Sequence, residues 1–226
     1  MASRTVKLKA LITLPRWECT AARTQITHAL QALRIPCAIA QGVWYGQCMT
    51  RLMEQAIGEG AEWLLTIDGD SFFTSQQLQH LMTIFHERED IDALAALQCR
   101  RGAGLPLLTV TPGEDGTVEI DRDPLEVTTA HFGLTLLRAD KVASLPRPWF
   151  LATPDAQGGW GDGKTDEDIH FWLQWHAAGN KTAILPTCRI GHLEEMITMF
   201  DENMQSQHLY PHQFHQLYPQ PGVTNG

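Results

Sequence analysis

An α/β protein with a mixed, mainly parallel central sheet flanked by helices is predicted by two features of the chain. Through roughly the first hundred positions the apolar residues switch repeatedly between a strand period and a helical period; later, strand-like runs follow one another closely. The length of 226 residues, with 43% hydrophobic and 19% charged positions, fits one sizeable domain and excludes a disordered, fibrous or coiled-coil chain. No apolar run approaches the ~18 residues a membrane span requires, and Met1 to Thr5 lead into a strand pattern without a signal-peptide core, so a soluble, cytoplasmic protein is expected.

Val6, Leu8, Ala10, Ile12 and Leu14 alternate as a strand over 6–14, which Pro15 ends. From Thr20, the residues Ala22, Ile26, Ala29, Leu30 and Leu33 recur at helical spacing, and Arg34-Ile35-Pro36 closes that helix before a short strand over 37–40. After Gly46, Met49, Leu52, Met53, Ala56 and Ile57 form a second helical stripe, stopped by Gly58 and Gly60. Trp63-Leu64-Leu65-Thr66-Ile67 is a continuous apolar run of the kind that fills a central parallel strand. Thr74 with Gln77 makes a capping box that opens a helix to about Phe85. Further strands are expected over 93–97, 107–110, 117–120, 132–137 and 182–185, and a helix over 166–178 with Ile169, Trp172, Leu173 and Ala177 on its buried face. No linker or internal repeat divides the chain, which reads as one domain over 1–193 with a C-terminal extension over 194–226, rich in Gln, His, Tyr and Pro.

The five cysteines form no CxxC pair and are odd in number, so neither a disulfide framework nor a zinc site is indicated. The formal net charge of −9 excludes a protein that simply coats nucleic acid or an anionic membrane. It also hides an asymmetry, because residues 1–60 carry +4 and the remainder −13. A cationic start and an acidic remainder suit a site that holds phosphates through a metal, although a chance mix of solvated faces gives the same totals.

Asp68-Gly69-Asp70 follows the apolar run directly, where open α/β sheets bind ligands at the carboxyl edge of their strands. Gly69 lets the backbone turn sharply, so that Asp70 can reach a divalent ion on phosphate oxygens while Asp68 contacts a ribose or the metal shell. An Asp-Gly turn that merely ends a strand reads the same way. Downstream, the glycine-rich stretch 158–163, which contains Trp160, feeds the acidic run Asp166-Glu167-Asp168. Thr165 and Asp168 fit an N-cap and its partner, yet three consecutive acids exceed what capping needs. Gly191-His192 then places an imidazole just past another strand.

In this order, Ile67-Asp68-Gly69-Asp70, the run over 132–138, Trp160-Gly161, Asp166-Glu167-Asp168 and Gly191-His192 resemble the motif set of the GT-A glycosyltransferases. The resemblance spans roughly residues 6–193 and implies a GT-A, Rossmann-like domain. It implies that Asp70 and His192 hold Mn2+ or Mg2+ on the diphosphate of a UDP-sugar, with Asp68 on the ribose or the metal. It implies further that the acceptor hydroxyl gives its proton to Asp168, matched first, or Glu167, matched second, in an inverting transfer. Asp168 at a helix N-terminus is expected to be ionised. The nucleotide is expected near Pro15, Arg16, Trp17 and Gln41, with Arg16 or Arg51 toward the diphosphate and Trp160 on sugar or acceptor. The Arg-Asn pair usual at the start of the family's second helix is replaced by Gln47-Cys48-Met49-Thr50-Arg51, so the diphosphate contacts are not assigned.

Stretches such as 17–23 and 42–47 resemble small bacteriophage-encoded members, some of which glycosylate hydroxymethylated pyrimidines in viral DNA. Duplex DNA with such bases is therefore the first expected acceptor, in the cytoplasm of an infected cell, with Arg16, Arg100, Arg101 or Arg147 as contacts. A polysaccharide, protein or small-molecule hydroxyl is the alternative. Two other classes stay open: a haloacid-dehalogenase-type phosphatase, whose nucleophile strand superficially matches residues 64–70, and a non-catalytic nucleotide-sugar sensor, which would not need the acids at 166–168.

Overall fold

Strand β1 (Leu8–Leu14) has β2 (Cys37–Gln41) on one side and β3 (Trp63–Asp68) on the other, both parallel to it, in the computed structural model, which describes residues 6–15, 18–101, 106–107 and 124–218. Parallel neighbours need crossovers, and α1 (Thr20–Ala32) and α2 (Tyr45–Gly58) supply them. The two helices cover opposite faces of the sheet. Ile26, Ala29 and Leu30 of α1 pack with Ala10, Ile12 and Leu65, whereas Met49, Leu52 and Met53 of α2 pack with Leu11 and Leu64. That division follows from the two-residue period of β1 and β3, which sends neighbouring side chains to opposite cores.

The other half of the sheet pairs β5 (Ala93–Gln98) in parallel with β8 (Thr182–His192), while β7 (Leu134–Arg138) lies antiparallel between β3 and β5. Strands β6 (Leu125–Val127) and β4 (Ser71–Phe72) both pair antiparallel with β8. The order is β2-β1-β3-β7-β5-β8-β4, with β6 also beside β8. Strands β1, β2, β3, β5 and β8 run one way, so the sheet is mixed and mainly parallel, as expected. Helices α3 (Ser75–Glu87), α4 (Ala139–Ser144) and α5 (Glu167–Ala177) complete the layers. Within 194–218 the chain forms a two-stranded sheet of β9 (Ile197–Phe200) and β10 (Ser206–Leu209), then α6 (Pro211–Leu217).

The capping box of α3 is present: Gln77 N–H donates to Thr74 Oγ1 at 3.2 Å and Thr74 N–H to Gln77 Oε1 at 2.7 Å. Four expectations are corrected. The strand over 182–185 runs on to His192, because the register jumps from Ala96–Leu185 to Leu97–Arg189 and residues 186–188 bulge out around Pro186, which has no N–H to donate. The strand over 132–137 shifts to Leu134–Arg138. Helix α5 buries Phe171, Trp172 and Trp175 and leaves Leu173 56% exposed, because Trp172 stacks on Phe132 and Phe171 on Phe150, at 5.1 and 5.2 Å between ring centroids. Its N-cap is Asp166, without a side-chain cap, while the Thr165 backbone pairs with Thr153. The strand expected over 117–120, and that over 107–110 beyond Leu107, lie outside the described residues.

Candidate functional site

The β1–β3 register sets Asp68 opposite Thr13, whose Oγ1 donates to Asp68 Oδ1 at 3.0 Å. Burial pushes the Asp68 carboxyl up to about 6; the Thr13 hydrogen bond opposes that rise and the Asp168 charge adds to it. Next in the chain, Gly69 N–H donates to the Thr13 carbonyl at 3.0 Å. A Cβ at Gly69 would stand 2.7 Å from Leu14 Cδ2 and 3.2 Å from the Thr13 oxygen, so a side chain here would have to displace Leu14 and crowd β1.

The turn delivers Asp70 to β8. Ser71 pairs with His192 and Phe72 with Gly191, and Leu193 N–H donates to the Asp70 carbonyl at 2.8 Å. This short ladder is what unites the acidic turn with a histidine far away in sequence. His192 Nδ1 lies 2.9 Å from the Cys99 carbonyl, which only accepts, so Nδ1 carries the proton and Nε2 presents a lone pair 3.4 Å from Asp70 Oδ2. Burial holds the His192 pKa below its ordinary value, which favours the neutral ring. The same Asp70 Oδ2 pairs with the Arg101 guanidinium.

A third wall comes from the start of α5. Glu167 Oε2 accepts from Gly46 N–H at 2.5 Å, tying α5 to the start of α2. Asp168 Oδ1 accepts from Ile169 N–H at 2.8 Å. The Asp168 pKa is raised, mainly by burial, with the Asp166 and Glu167 charges adding to it and the Ile169 N–H opposing it. A raised pKa makes this carboxylate a better proton acceptor.

These groups line one cleft of about 720 Å3, which takes in Pro15, Asp68, Asp70, Glu167, Asp168 and His192. It adjoins a second hollow of about 530 Å3, sharing Pro15, Gly69, Asp70 and Arg101 and walled by Glu18, Glu194 and Tyr210. Of the other nominated residues, Gln41 Nε2 donates to the Pro15 carbonyl at 3.3 Å and Arg51 Nε donates to the Gln47 carbonyl at 3.3 Å, and neither side chain lines the cleft. Trp160 is 60% exposed and also does not line it; its loop is held by Asp155 Oδ1, which accepts from Gly159 and Gln157 N–H at 2.6 and 3.0 Å. Arg16 and Trp17 lie outside the described residues.

The structure adds residues that sequence reasoning missed. Arg101, nominated only as a DNA contact, sits on Asp70. Tyr45 lines the cleft with its hydroxyl buried and without a hydrogen-bond partner, and burial together with Asp68, Asp168 and Glu167 keeps that phenol protonated. His131 lines the cleft as a nearly buried ring, its Nε2 donating to the Ala96 carbonyl at 2.7 Å and its Nδ1 accepting from Gly133 N–H at 2.9 Å, and burial lowers its pKa to about 4. None of the three carries a local signal, since periodicity says nothing of partners brought in by the sheet.

Among the described residues, no group of three or more His, Cys, Asp or Glu side chains is placed to hold a metal ion. Asp70 and His192 nevertheless offer two facing donors of the right chemistry, an arrangement that fits a divalent ion completing its shell with phosphate oxygens and water.

No protein-family model and no curated protein sequence matches the chain. Solved structures do match it. A197 from STIV aligns with a TM-score of 0.59 at 15% identity, over 88% of this chain and 92% of its own. GalNAc-T7, crystallised with UDP, GalNAc and Mn2+, aligns with a TM-score of 0.50 at 10% identity, over 84% of this chain and 44% of its own. The fold is of the GT-A type. In this GT-A sheet the cleft lies at the carboxyl end of β1 and β3, where a ligand would meet both the acidic turn and the start of α5. No helix among the described residues is long and apolar enough to cross a membrane.

Proposed function

We propose that this chain is a glycosyltransferase that moves a sugar from a UDP-sugar to a hydroxyl acceptor, with inversion, in the presence of Mn2+ or Mg2+. The observation that carries the reading is the convergence, in one cleft of a GT-A sheet, of the Asp70–His192 pair on one wall and the Asp168 carboxylate on another. Asp70 and His192 would hold the divalent ion, and Asp68 would contact the ribose or the ion's shell. A bound divalent ion supplies charge neutralisation to the departing diphosphate. The Asp168 carboxylate takes the proton of the acceptor hydroxyl as the new bond to the anomeric carbon forms and the bond to the diphosphate oxygen breaks. Its raised pKa suits that role near neutral pH. Glu167, committed to Gly46 N–H, sets the position of α5 and is the second candidate for base. Pro15, which lines the cleft, and Gln41, which donates to its carbonyl, would lie on the nucleotide side together with Arg16 and Trp17.

For the acceptor, the leading sequence reading was hydroxymethylated duplex DNA in an infected cell's cytoplasm. Of the arginines nominated for it, Arg101 is paired with Asp70 and Arg147 with Glu54, while Arg16 lies outside the described residues. The acidic cleft favours a neutral hydroxyl on a small molecule or polymer end, and duplex DNA serves as a comparison arm.

Thermal unfolding with UDP and Mn2+ tests the donor site. At ligand concentrations about a hundredfold above Kd the melting temperature should rise by several degrees, and Asp70→Ala should abolish the rise. A shift that survives the substitution overturns the assignment of Asp70.

A further inference from the structure

The site as described places two claims on one carboxylate. Asp70 faces the neutral Nε2 of His192 at 3.4 Å, as a cation ligand should, yet its Oδ2 is the atom that pairs with Arg101. A guanidinium and a divalent cation cannot both sit on that oxygen, because each would repel the other at contact distance. Arg101 also lines both hollows that meet at Asp70, so its side chain, 56% exposed, has open space on either side into which it can swing. Among the described residues that line the larger cleft it is the one Lys or Arg, and the others include five carboxylates. A nucleoside diphosphate entering this wall brings phosphate oxygens that match the guanidinium fork in geometry and charge.

We propose that Arg101 serves two partners in turn: it holds Asp70 in the free protein, and it moves to the diphosphate of the nucleotide sugar when a divalent cation takes Asp70. The inference rests on the nucleotide-sugar reading of the cleft, and it fills the gap left by the missing Arg-Asn pair at the start of α2. Its consequence is reciprocal coupling. The cation binds weakly alone because it must displace Arg101, and it binds tightly with the nucleotide because the released arginine gains a better anionic partner. By the same linkage, the nucleotide binds weakly without the cation, because Arg101 is then committed to Asp70.

The test is Mn2+ binding followed by electron paramagnetic resonance, with and without UDP, alongside calorimetric titration of UDP at saturating Mn2+. In Arg101→Ala, Mn2+ alone should bind roughly fivefold tighter, as expected from losing a partly exposed competing ion pair. UDP at saturating Mn2+ should bind about tenfold weaker, as expected from losing a charge-assisted phosphate contact. Arg101→Lys, which keeps the charge without the fork, should leave Mn2+ affinity near wild type and give an intermediate UDP affinity. The opposite signs of the two changes in Arg101→Ala are the diagnostic. If Mn2+ and UDP both bind weaker, Arg101 merely supports the local structure and the exchange is wrong. If Mn2+ affinity is unchanged, Arg101 does not compete for Asp70, and the exchange is again wrong. If the wild-type protein binds neither Mn2+ nor UDP, the nucleotide-sugar reading itself falls and this inference with it. Circular dichroism and the melting temperature of each variant establish that it is folded.

Discussion

His131 shows how a single residue in the cleft wall couples stability to pH. Its ring bridges the Ala96 carbonyl and Gly133 N–H in a buried place where only the neutral form is comfortable, and its pKa falls to about 4. The unfolded chain therefore takes up a proton first as pH falls, so the stability His131 contributes is fully present above about 6.5 and is lost as pH drops through about 4. Asp68 acts with the opposite sign: its folded pKa of about 6 lies above that of the unfolded chain, so it favours the folded state below about 4 and loses that contribution as pH rises through 6. The wild-type profile thus blends two opposing slopes, and a variant separates them. Denaturant titrations of wild type and His131→Gln should show a stability gap that narrows by roughly 2 kcal/mol between pH 7 and pH 4.5. A gap independent of pH would contradict the buried, neutral assignment.

Elements explain which parts of the chain were legible. The stripes of α1 and α2 and the capping box of α3 were readable because their determinants lie within one or two helical turns. The buried face of α5 was misread because two faces of that segment are apolar, and the choice between them is made by Phe132 and Phe150 from other elements. The full length of β8 was hidden by Pro186, since a bulge and a strand end look alike in sequence. The junction of α2 with α5 makes a sharp prediction. A Cβ on Gly46 would meet Phe150 Cβ at 2.6 Å and Glu167 Oε2 at 2.7 Å, whereas one on Gly58 meets nothing within 4 Å. Gly46→Ala should cost about 1–3 kcal/mol and shift Asp168 enough to depress transfer, while Gly58→Ala should change stability by less than about 1 kcal/mol. Equal melting temperatures for the two variants would show that α5 is not fixed against α2 through this contact.

At the scale of the molecule, the site is a product of sheet order. Asp68, Asp70, Asp168 and His192 were each nominated from the sequence, with roles drawn from the GT-A resemblance, and the fold brings all four to one cleft. Their partners were not legible: the Arg101 pair with Asp70, the Cys99 carbonyl behind His192 and the unpartnered Tyr45 hydroxyl exist only once β5, β8 and α2 are assembled. The central claim is that this cleft transfers a glycosyl group, with Asp168 as base. The most direct measurement incubates the protein and Asp168→Asn with Mn2+, a panel of UDP-sugars and a panel of hydroxyl acceptors that includes hydroxymethylcytosine DNA, and weighs the acceptors by mass spectrometry. The account predicts a mass increase of one sugar residue on an acceptor with wild type, a loss of transfer on the order of a hundredfold or more with Asp168→Asn, and unchanged donor binding in that variant. No mass increase across the panel despite UDP binding, or full transfer by Asp168→Asn, would contradict it.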